Sequence, residues 1–254
     1  MLFARKLMIA SLAVLVASAP GAMAQAKKKD AGQQKDLESR VAALEQRLAS
    51  LEKQVAQSGA PSQEAEQKAA GLMQEVQNLV GSGDFQQAKT KLAALNKDYA
   101  GTNAQRRAAR LNQELAVIGK AAPKSYDIVK WYQGENEVSL ADGKATLLVF
   151  WEVWCPHCRR EVPKMESLYT RYKGKGLQVV GLTKITKSAT EQGVLDFMRE
   201  QKVSYPVAKE SGQVSRYFNV SGIPAAAVVK DGKIVWRGHP ASLNDGMLEK
   251  LIGG

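Results

Sequence analysis

The stretch FWEVWCPHCRREVP, residues 150–163, contains both cysteines of a chain of 254 residues. It continues an apolar run that begins at Ala145, and an uninterrupted run of this kind is typical of a strand buried on both faces of a sheet. A helix is predicted to follow through about Tyr172. The sequence therefore predicts that a central strand delivers Cys155 and Cys158 to the beginning of a helix.

The spacing of the two cysteines favours redox chemistry over a structural bridge. A disulfide stabilises a protein most when it closes a long loop, and Cys-x-x-Cys closes almost none. An inert bridge and a metal site are the alternatives. A metal site would need Cys155, His157 and Cys158 together, but adjacent loop positions rarely supply three tetrahedral ligands, and the only other histidine is His239. We therefore predict a redox disulfide between Cys155 and Cys158, with no metal and no other cofactor.

The two thiols are expected to have different roles. Unpaired backbone N–H groups and the helix dipole stabilise a thiolate at a helix N-terminus, which predicts that Cys155 is the exposed nucleophile. Cys158, about one turn inside the helix, is placed to attack a mixed disulfide. His157 adds a donor near the Cys155 sulfur, and Pro156 removes one N–H group and stiffens the loop.

Strands and helices are predicted to alternate around this site, as in an α/β fold with a mixed sheet covered by helices. The predicted strands are 145–153, 177–185, 205–210 and the two arms of a hairpin at 225–238, which turns at Asp231-Gly232. The predicted helices after Tyr172 are 189–201, 213–220 and 242–252. Ser242 is a possible N-cap of the last helix.

At these residues the chain resembles the thioredoxin superfamily, and in particular its extracytoplasmic TlpA/ResA-like branch. The motif of that branch runs Phe-Trp-x-x-Trp-Cys-x-x-Cys-x-x-Glu-x-Pro, and the resemblance covers roughly residues 124–254. It implies a thioredoxin-like fold. Gly222-Ile223-Pro224 matches the cis-proline loop of the family, which implies that Pro224 is cis and that Ile223 offers backbone hydrogen bonds to an extended substrate strand. We assign Trp154 and Pro156 to the same substrate surface.

The resemblance also implies a role for Glu161, which matches the glutamate that this branch places near the buried cysteine. We expect proton transfer there, with an ordinary helix-surface glutamate as the alternative. Two features depart from the family. Typical thioredoxins carry a buried aspartate where this chain has Val149. The dipeptide Pro156-His157 is the one found in strongly oxidising DsbA-type enzymes, so the scaffold indicates a reductase and the dipeptide an oxidase.

The first 24 residues predict export. Arg5 and Lys6 precede the apolar run 7–19, and Ala-Met-Ala at 22–24 has the pattern of a cleavage site. Residues 1–24 are therefore predicted to be a signal peptide, and the apolar run is short for a membrane span. The expected location is the bacterial periplasm, with membrane anchoring if the peptide is not cleaved.

Residues 25–36 are predicted to be a disordered linker, and residues 37–57 a coiled coil. Apolar residues recur there with the heptad spacing of four and three, at Leu37, Val41, Leu44, Leu48, Leu51 and Val55. In a parallel assembly Arg40 would face Glu45 of the next copy, and Arg47 would face Glu52. This pattern favours a homodimer or homotrimer, and a single amphipathic helix docked on its own domain is the alternative.

Residues 64–119 are predicted to form a helical region that resembles one tetratricopeptide-type unit. The predicted helices are 64–80, 84–100 and 102–119, and Asp84 is a plausible N-cap of the second. One such unit cannot bury its own apolar face, so it must pack on another part of the assembly. A spacer or oligomerisation role is favoured over peptide binding. Residues 121–125 link it to the last domain.

The charge balance argues against a nucleic-acid partner. Lys and Arg number 36 and Asp and Glu 25, giving a net charge of +11, but the basic residues are interspersed and form no arginine-rich run with aromatics. We predict an exported thiol–disulfide oxidoreductase that acts on protein cysteines, with reductase or isomerase activity favoured over oxidase. A redox partner protein in the membrane would recycle it. The alternative is an oligomeric periplasmic binding scaffold with little redox turnover.

Overall fold

The structure is a computed structural model that describes residues 20–57, 59–134 and 145–253. The chain divides into two units, residues 1–60 and residues 61–254. In the first unit the described residues form one long helix. The second unit contains a helical segment followed by an α/β domain.

Helix α1 spans Pro20–Gln57. It includes residues 25–36, which differs from the predicted disordered linker, because that stretch is rich in alanine, glutamine and lysine, residues of high helix propensity. Residues 1–19 of the predicted signal peptide lie outside the described residues. In the described part of the chain, no helix has both the length and the apolar character needed to cross a membrane.

The predicted coiled-coil seam lies on the surface of α1. Its side chains from Leu37 to Leu51 are between 50% and 65% exposed in the single chain: Leu37, Val41, Leu44, Leu48 and Leu51. Large apolar residues repeated at heptad spacing and left in water are typical of a helix that associates with another helix.

The helical segment packs around its own apolar core. Its helices are α2 (Gln63–Ser82), α3 (Phe85–Asp98), α4 (Asn103–Arg107) and α5 (Ala109–Val117). The Asp84 side chain accepts a hydrogen bond from the Gln87 N–H, so the predicted N-cap is confirmed. The helix predicted at 102–119 is divided at Ala108, whose N–H is shared between the carbonyls of Ala104 and Gln105. Buried side chains from all four helices, Val76, Leu92, Ala104 and Leu115 among them, form the core.

The α/β domain is built on a six-stranded mixed sheet, which confirms the predicted fold class. The strands are β1 (Ile128–Gln133), β2 (Ala145–Trp151), β3 (Leu177–Thr183), β4 (Val207–Glu210), β5 (Ala225–Lys230) and β6 (Lys233–Gly238). Their order is β1-β4-β3-β2-β5-β6. The neighbours of β3 are parallel to it, whereas β5 is antiparallel to both β2 and β6, and β1 to β4. Strand β1 was not predicted, because a half-exposed edge strand lacks a continuous apolar run.

Strand β2 is central and every residue in it is buried. Leu147, Val149 and Trp151 belong to one core of the domain, and Leu148 and Phe150 belong to the core on the other face of the sheet. This alternation explains the uninterrupted apolar run that precedes the cysteines. The buried strand gives a fixed base to the residues that follow it.

Four helices cover the sheet. They are α6 (Pro156–Tyr172), α7 (Glu191–Glu200), α8 (Gln213–Tyr217) and α9 (Asp245–Gly253). The N-cap predicted at Ser242 is wrong, because Ser242 lies in a short 3-10 turn and Asn244 Oδ1 accepts the hydrogen bond from the Met247 N–H at 2.8 Å.

The link between the helical segment and the sheet is itself part of the structure. Ile234 of β6 bonds Gly119 and Lys120 through its backbone, at 2.7 and 2.9 Å. Ala121 forms an isolated bridge with Lys233. The link therefore continues the edge of the sheet, and it begins several residues before the domain boundary predicted at residue 124.

Candidate active site

The cysteine pair lies where β2 gives way to α6. Cys155 is the N-cap residue of α6, and its Sγ accepts a hydrogen bond from the Cys158 N–H at 3.4 Å. Pro156 occupies the first turn, where a missing N–H costs nothing. This is the predicted placement of the two cysteines at a helix N-terminus.

Both thiols are buried, which corrects the prediction that Cys155 is exposed. Cys155 is 4% exposed and Cys158 is fully buried, and both are free thiols. The Cys155 Sγ lies 3.8 Å from the Ile223 carbonyl oxygen, so the loop before β5 covers it. The Ile223–Pro224 peptide bond in that loop is cis, as the resemblance implied. The sequence places Ile223 68 residues after Cys155, and local reasoning could not detect this cover.

The surroundings of Cys158 favour its neutral form. Burial raises the pKa of the Cys158 thiol far above its ordinary value, and the hydrogen bond with Cys155 adds to the shift, while a backbone hydrogen bond from Glu152 opposes it. Cys158 is therefore a protonated thiol at neutral pH. The Cys155 sulfur accepts the Cys158 N–H at the beginning of α6, where backbone donors stabilise negative charge on sulfur.

Glu152 was missed by the sequence analysis. Its buried carboxylate accepts hydrogen bonds from the Trp154 indole Nε1, at 2.6 Å, and from the Thr186 hydroxyl. The Lys187 ammonium lies 3.2 Å from the centre of the Trp154 ring. Glu152 and Lys187 therefore fix the indole next to Cys155. An acidic residue inside the otherwise apolar run FWEVW was the signal that could have revealed it.

Glu161 is buried within α6, and so it is not a surface residue. It lies one turn after Cys158, its Oε1 is 2.7 Å from Lys164 Nζ, and its Oε2 is buried without a hydrogen-bond partner among the described residues. His157 is exposed, and its Nδ1 lies 2.7 Å from a guanidinium nitrogen of Arg160. The structure thus brings Glu161 and Cys158 onto one side of α6, with His157 at the surface.

A cavity of about 530 Å³ opens beside His157 and Pro224 and extends to Arg110 on α5. It adjoins the loop that covers Cys155, because Ile223 and Pro224 belong to its lining. Within the described residues, no three or more His, Cys, Asp or Glu side chains lie close enough together to hold a metal ion.

Comparison with known proteins identifies the same domain. Residues 118–237 match the AhpC/TSA family. The thiol-disulfide oxidoreductase ResA of a Bacillus cereus strain is 34% identical over 127 residues, which cover 49% of this chain and 70% of that protein. The sporulation thiol-disulfide oxidoreductase A of Bacillus subtilis strain 168 is 26% identical over 105 residues, covering 41% of this chain and 64% of that protein.

Solved structures show a similar likeness. The thioredoxin domain of a thiol-disulfide oxidoreductase from Bacteroides vulgatus is 27% identical, with a TM-score of 0.45, and the match covers 53% of this chain and 97% of that one. StoA from Bacillus subtilis is 25% identical with a TM-score of 0.41, covering 46% and 90%. On the sequence match to the Bacillus cereus protein, this chain belongs to the ResA-like thiol–disulfide oxidoreductases, within the AhpC/TSA family of thioredoxin-fold domains.

Proposed function

We propose that Cys155 and Cys158 are the redox couple with which the protein exchanges disulfides with the cysteines of other proteins. The observation that carries the proposal is the pairing of unlike thiols. The Cys155 sulfur accepts a backbone hydrogen bond at the beginning of α6, whereas burial keeps Cys158 protonated. One sulfur is suited to attack, and the other is held in reserve until a mixed disulfide forms.

In the reductive direction, the Cys155 thiolate attacks one sulfur of a substrate disulfide. The substrate S–S bond breaks, and the released thiolate takes up a proton. Cys158 then gives up its proton and attacks the Cys155 sulfur, which forms the Cys155–Cys158 disulfide and releases the second substrate thiol. Counting the proton that Cys155 loses on ionising, two electrons and two protons pass to the substrate.

Glu161 is proposed to take the proton of Cys158 in the second step. The raised pKa of Cys158 means that attack needs a base, and Glu161 offers a buried carboxylate oxygen on the same side of α6. Its Oε1 is already bonded to Lys164, so Oε2 is the atom assigned to the proton.

The substrate is proposed to bind along the loop at Ile223–Pro224, with Trp154 and Pro156 as neighbouring contacts. The closeness of the Ile223 carbonyl to the Cys155 sulfur supports this assignment, because an extended chain paired with Ile223 would bring its own cysteine to that sulfur. The indole of Trp154 is held by Glu152 and would give a rigid apolar surface beside it.

We propose a reductase or isomerase in preference to an oxidase, acting after export to the periplasm. A dithiol protein of the membrane would return the two electrons. The exposed seam of α1 supports assembly into a parallel dimer or trimer, in which Arg40 would face Glu45 of the neighbouring copy. Several redox sites in one assembly suit the rearrangement of incorrect disulfides.

The test uses the full chain with a protein whose disulfides have been scrambled. Wild type, kept reduced by a dithiol, should restore the native pairing, and Cys155→Ser should not. A variant with Leu44→Glu and Leu48→Glu should become monomeric, lose isomerisation and keep simple reduction of a disulfide peptide. Equilibration with glutathione then gives the reduction potential. A reduction potential near that of DsbA, together with no isomerisation, would show that the protein is an oxidase and not an isomerase.

A further inference from the structure

We propose that helix α5 forms one wall of the substrate cleft, and that this wall selects protein substrates with a carboxylate side chain next to the reacting cysteine. The proposal rests on the redox function proposed for Cys155 and Cys158, and it adds the chemical class of the substrate. It also gives the helical segment a role in recognition, beyond the spacer or assembly role that its sequence favours.

The cavity of about 530 Å³ lies between helix α5 and the loop that covers Cys155. Its lining includes Ile223 and Pro224 of the loop over Cys155, and His157 from the Cys-x-x-Cys segment. On the side of the helical segment the lining comes from α5 and includes Arg110, Gln113 and Glu114. A substrate chain that pairs with Ile223 would therefore place a neighbouring side chain against α5.

Helix α5 is fixed to the α/β domain at this cleft. The Asn219 side-chain amide donates to the Gln113 carbonyl oxygen at 3.3 Å, and the Ser221 hydroxyl donates to Gln113 Oε1. Arg237 of β6 lies 3.9 Å from the Glu114 carboxylate, and both are buried. Because polar contacts at Gln113 and Glu114 join α5 to the α/β domain, its side chains form one wall of the cleft.

The charges in this wall leave a positive excess. Glu114 Oε1 lies 2.7 Å from Arg110 Nε and 3.9 Å from Arg237 Nη1, so two guanidinium groups share one carboxylate. The contact with Glu114 uses the Nε–H of Arg110, and a guanidinium has five N–H donors. The Arg110 side chain is 58% exposed, which gives an incoming carboxylate access to the others.

Three neutral side chains of the lining also have N–H groups left to donate. Arg160 can only donate, so the 2.7 Å contact makes His157 Nδ1 an acceptor and leaves the proton on Nε2. His239 Nδ1 accepts from the Ala241 N–H at 3.1 Å, so its proton is also on Nε2. Gln113 Oε1 accepts from Ser221, which leaves its amide N–H groups as donors. These donors, together with the positive excess that two guanidinium groups leave around Glu114, fit an anion, and the anion a protein substrate carries is an aspartate or glutamate side chain.

Helix α5 lies immediately before the residues that match the AhpC/TSA family model. The match to the AhpC/TSA family begins at residue 118, and α5 ends at Val117. The wall belongs to the helical segment and not to the cysteine-bearing helix α6, so it is expected to set substrate preference without altering the thiol chemistry.

The experiment uses the reduced full-length protein and three amidated peptides with an intramolecular disulfide. The peptides differ at one position next to a cysteine, which is Glu, Gln or Lys, and each series is made for both sides of that cysteine. On at least one side, kcat/KM should be about threefold to tenfold higher for Glu than for Lys, with Gln between them. The difference should shrink at about 0.5 M salt, because screening weakens exposed charge pairs.

Two variants test the wall, and one serves as a matched control. Arg110→Gln should remove most of the preference for Glu, whereas Arg107→Gln, which removes the same charge from an exposed position of α4, should keep it. Gln113→Glu keeps the oxygen that Ser221 bonds but adds a negative charge, so it should slow the Glu peptide and speed the Lys peptide. Gln113→Glu also tests the wall if Arg110→Gln weakens the packing of α5.

Hydroxyethyl disulfide, a small uncharged substrate, separates the possible outcomes. All variants should reduce it at the wild-type rate, because it does not reach α5. Equal rates for the three peptides in both series would overturn the carboxylate preference while leaving the redox function intact. Failure of the folded protein to reduce any peptide or hydroxyethyl disulfide would instead overturn the proposed function. A preference that Arg107→Gln abolishes equally would show that overall charge, and not the cleft, is responsible.

Discussion

The two sides of the cysteine pair differ in what surrounds the sulfur. On the cleft side, Cys155 meets a backbone N–H and the Ile223 carbonyl, and the loop of Ile223 also lines a cavity with Arg110 and His157. On the core side, Cys158 is enclosed with Val149 and other apolar side chains, and burial raises its pKa. Within one turn of helix, therefore, one sulfur lies at the helix N-terminus beside the cleft, and the other is enclosed where its neutral form is favoured.

Replacing each cysteine in turn gives the largest expected effect. Cys155→Ser should abolish disulfide exchange, a loss of at least about a thousandfold, because the remaining thiol is protonated and enclosed. Cys158→Ser should still attack a disulfide peptide and accumulate as a mixed disulfide at Cys155. Mass spectrometry after an acid quench measures both. If Cys155→Ser accumulated the mixed disulfide instead, Cys158 and not Cys155 would be the cysteine that attacks the substrate.

The core side can be tested by placing a charge in it. Val149 is fully buried at the position where typical thioredoxins have an aspartate. Val149→Asp should lower the free energy of unfolding by about 3–5 kcal/mol at neutral pH, because an unpaired carboxylate is costly in an apolar core. Chemical denaturation measures the loss, and Val149→Ala should lose about 1–3 kcal/mol. A stable Val149→Asp variant would mean that the core side can accommodate charge.

The proposed role of Glu161 as the base that takes the Cys158 proton can be tested separately. Glu161→Gln keeps the shape of the side chain but removes the base, so the attack of Cys158 on the mixed disulfide should slow by about ten- to a hundredfold. Formation of the mixed disulfide should not change, and rapid-quench kinetics separate the two steps. Lys164→Gln, which leaves the carboxylate in place, is the matched control. A uniform slowing of both steps would assign Glu161 a structural role only.

The smallest effect is expected on the cleft side, at Glu152. Glu152→Gln can still accept the Trp154 N–H, but it loses the charge, so peptide reduction should fall about two- to fivefold through KM. The fluorescence of the protein should change little. Glu152→Ala should release the indole and shift the fluorescence while reducing activity further. An unchanged KM in Glu152→Ala would show that the position of Trp154 does not contribute to substrate binding.

The sequence predicted those parts of the site that depend on neighbours along the chain. The apolar run before Cys155 predicted a buried strand followed by a helix, and the spacing of Cys155 and Cys158 predicted a redox pair. The match of Gly222-Ile223-Pro224 to a known loop implied the cis bond. Each of these follows from local patterns or from a motif.

Other features depend on contacts between distant residues, and the sequence did not reveal them. The close cover of Cys155 by the Ile223 carbonyl, the contact of Glu152 with Thr186 and the position of Arg110 beside the cavity arise when segments far apart in the chain pack together. Strand β1 was missed for a related reason, since its pairing with β4 and not its own pattern defines it. The sign of a charge is visible in the sequence, but the group that it faces is not.

The most direct measurement of the division between the two sulfurs is their alkylation in the reduced wild-type protein. At pH 7 a small alkylating reagent should modify Cys155 at least about tenfold faster than Cys158, as mapped by peptide mass spectrometry. Because the pKa of Cys158 is raised, its modification should increase only well above about pH 8.5, the ordinary range for a thiol. Equal rates at the two sulfurs at pH 7, or faster modification of Cys158 in the folded protein, would contradict the account.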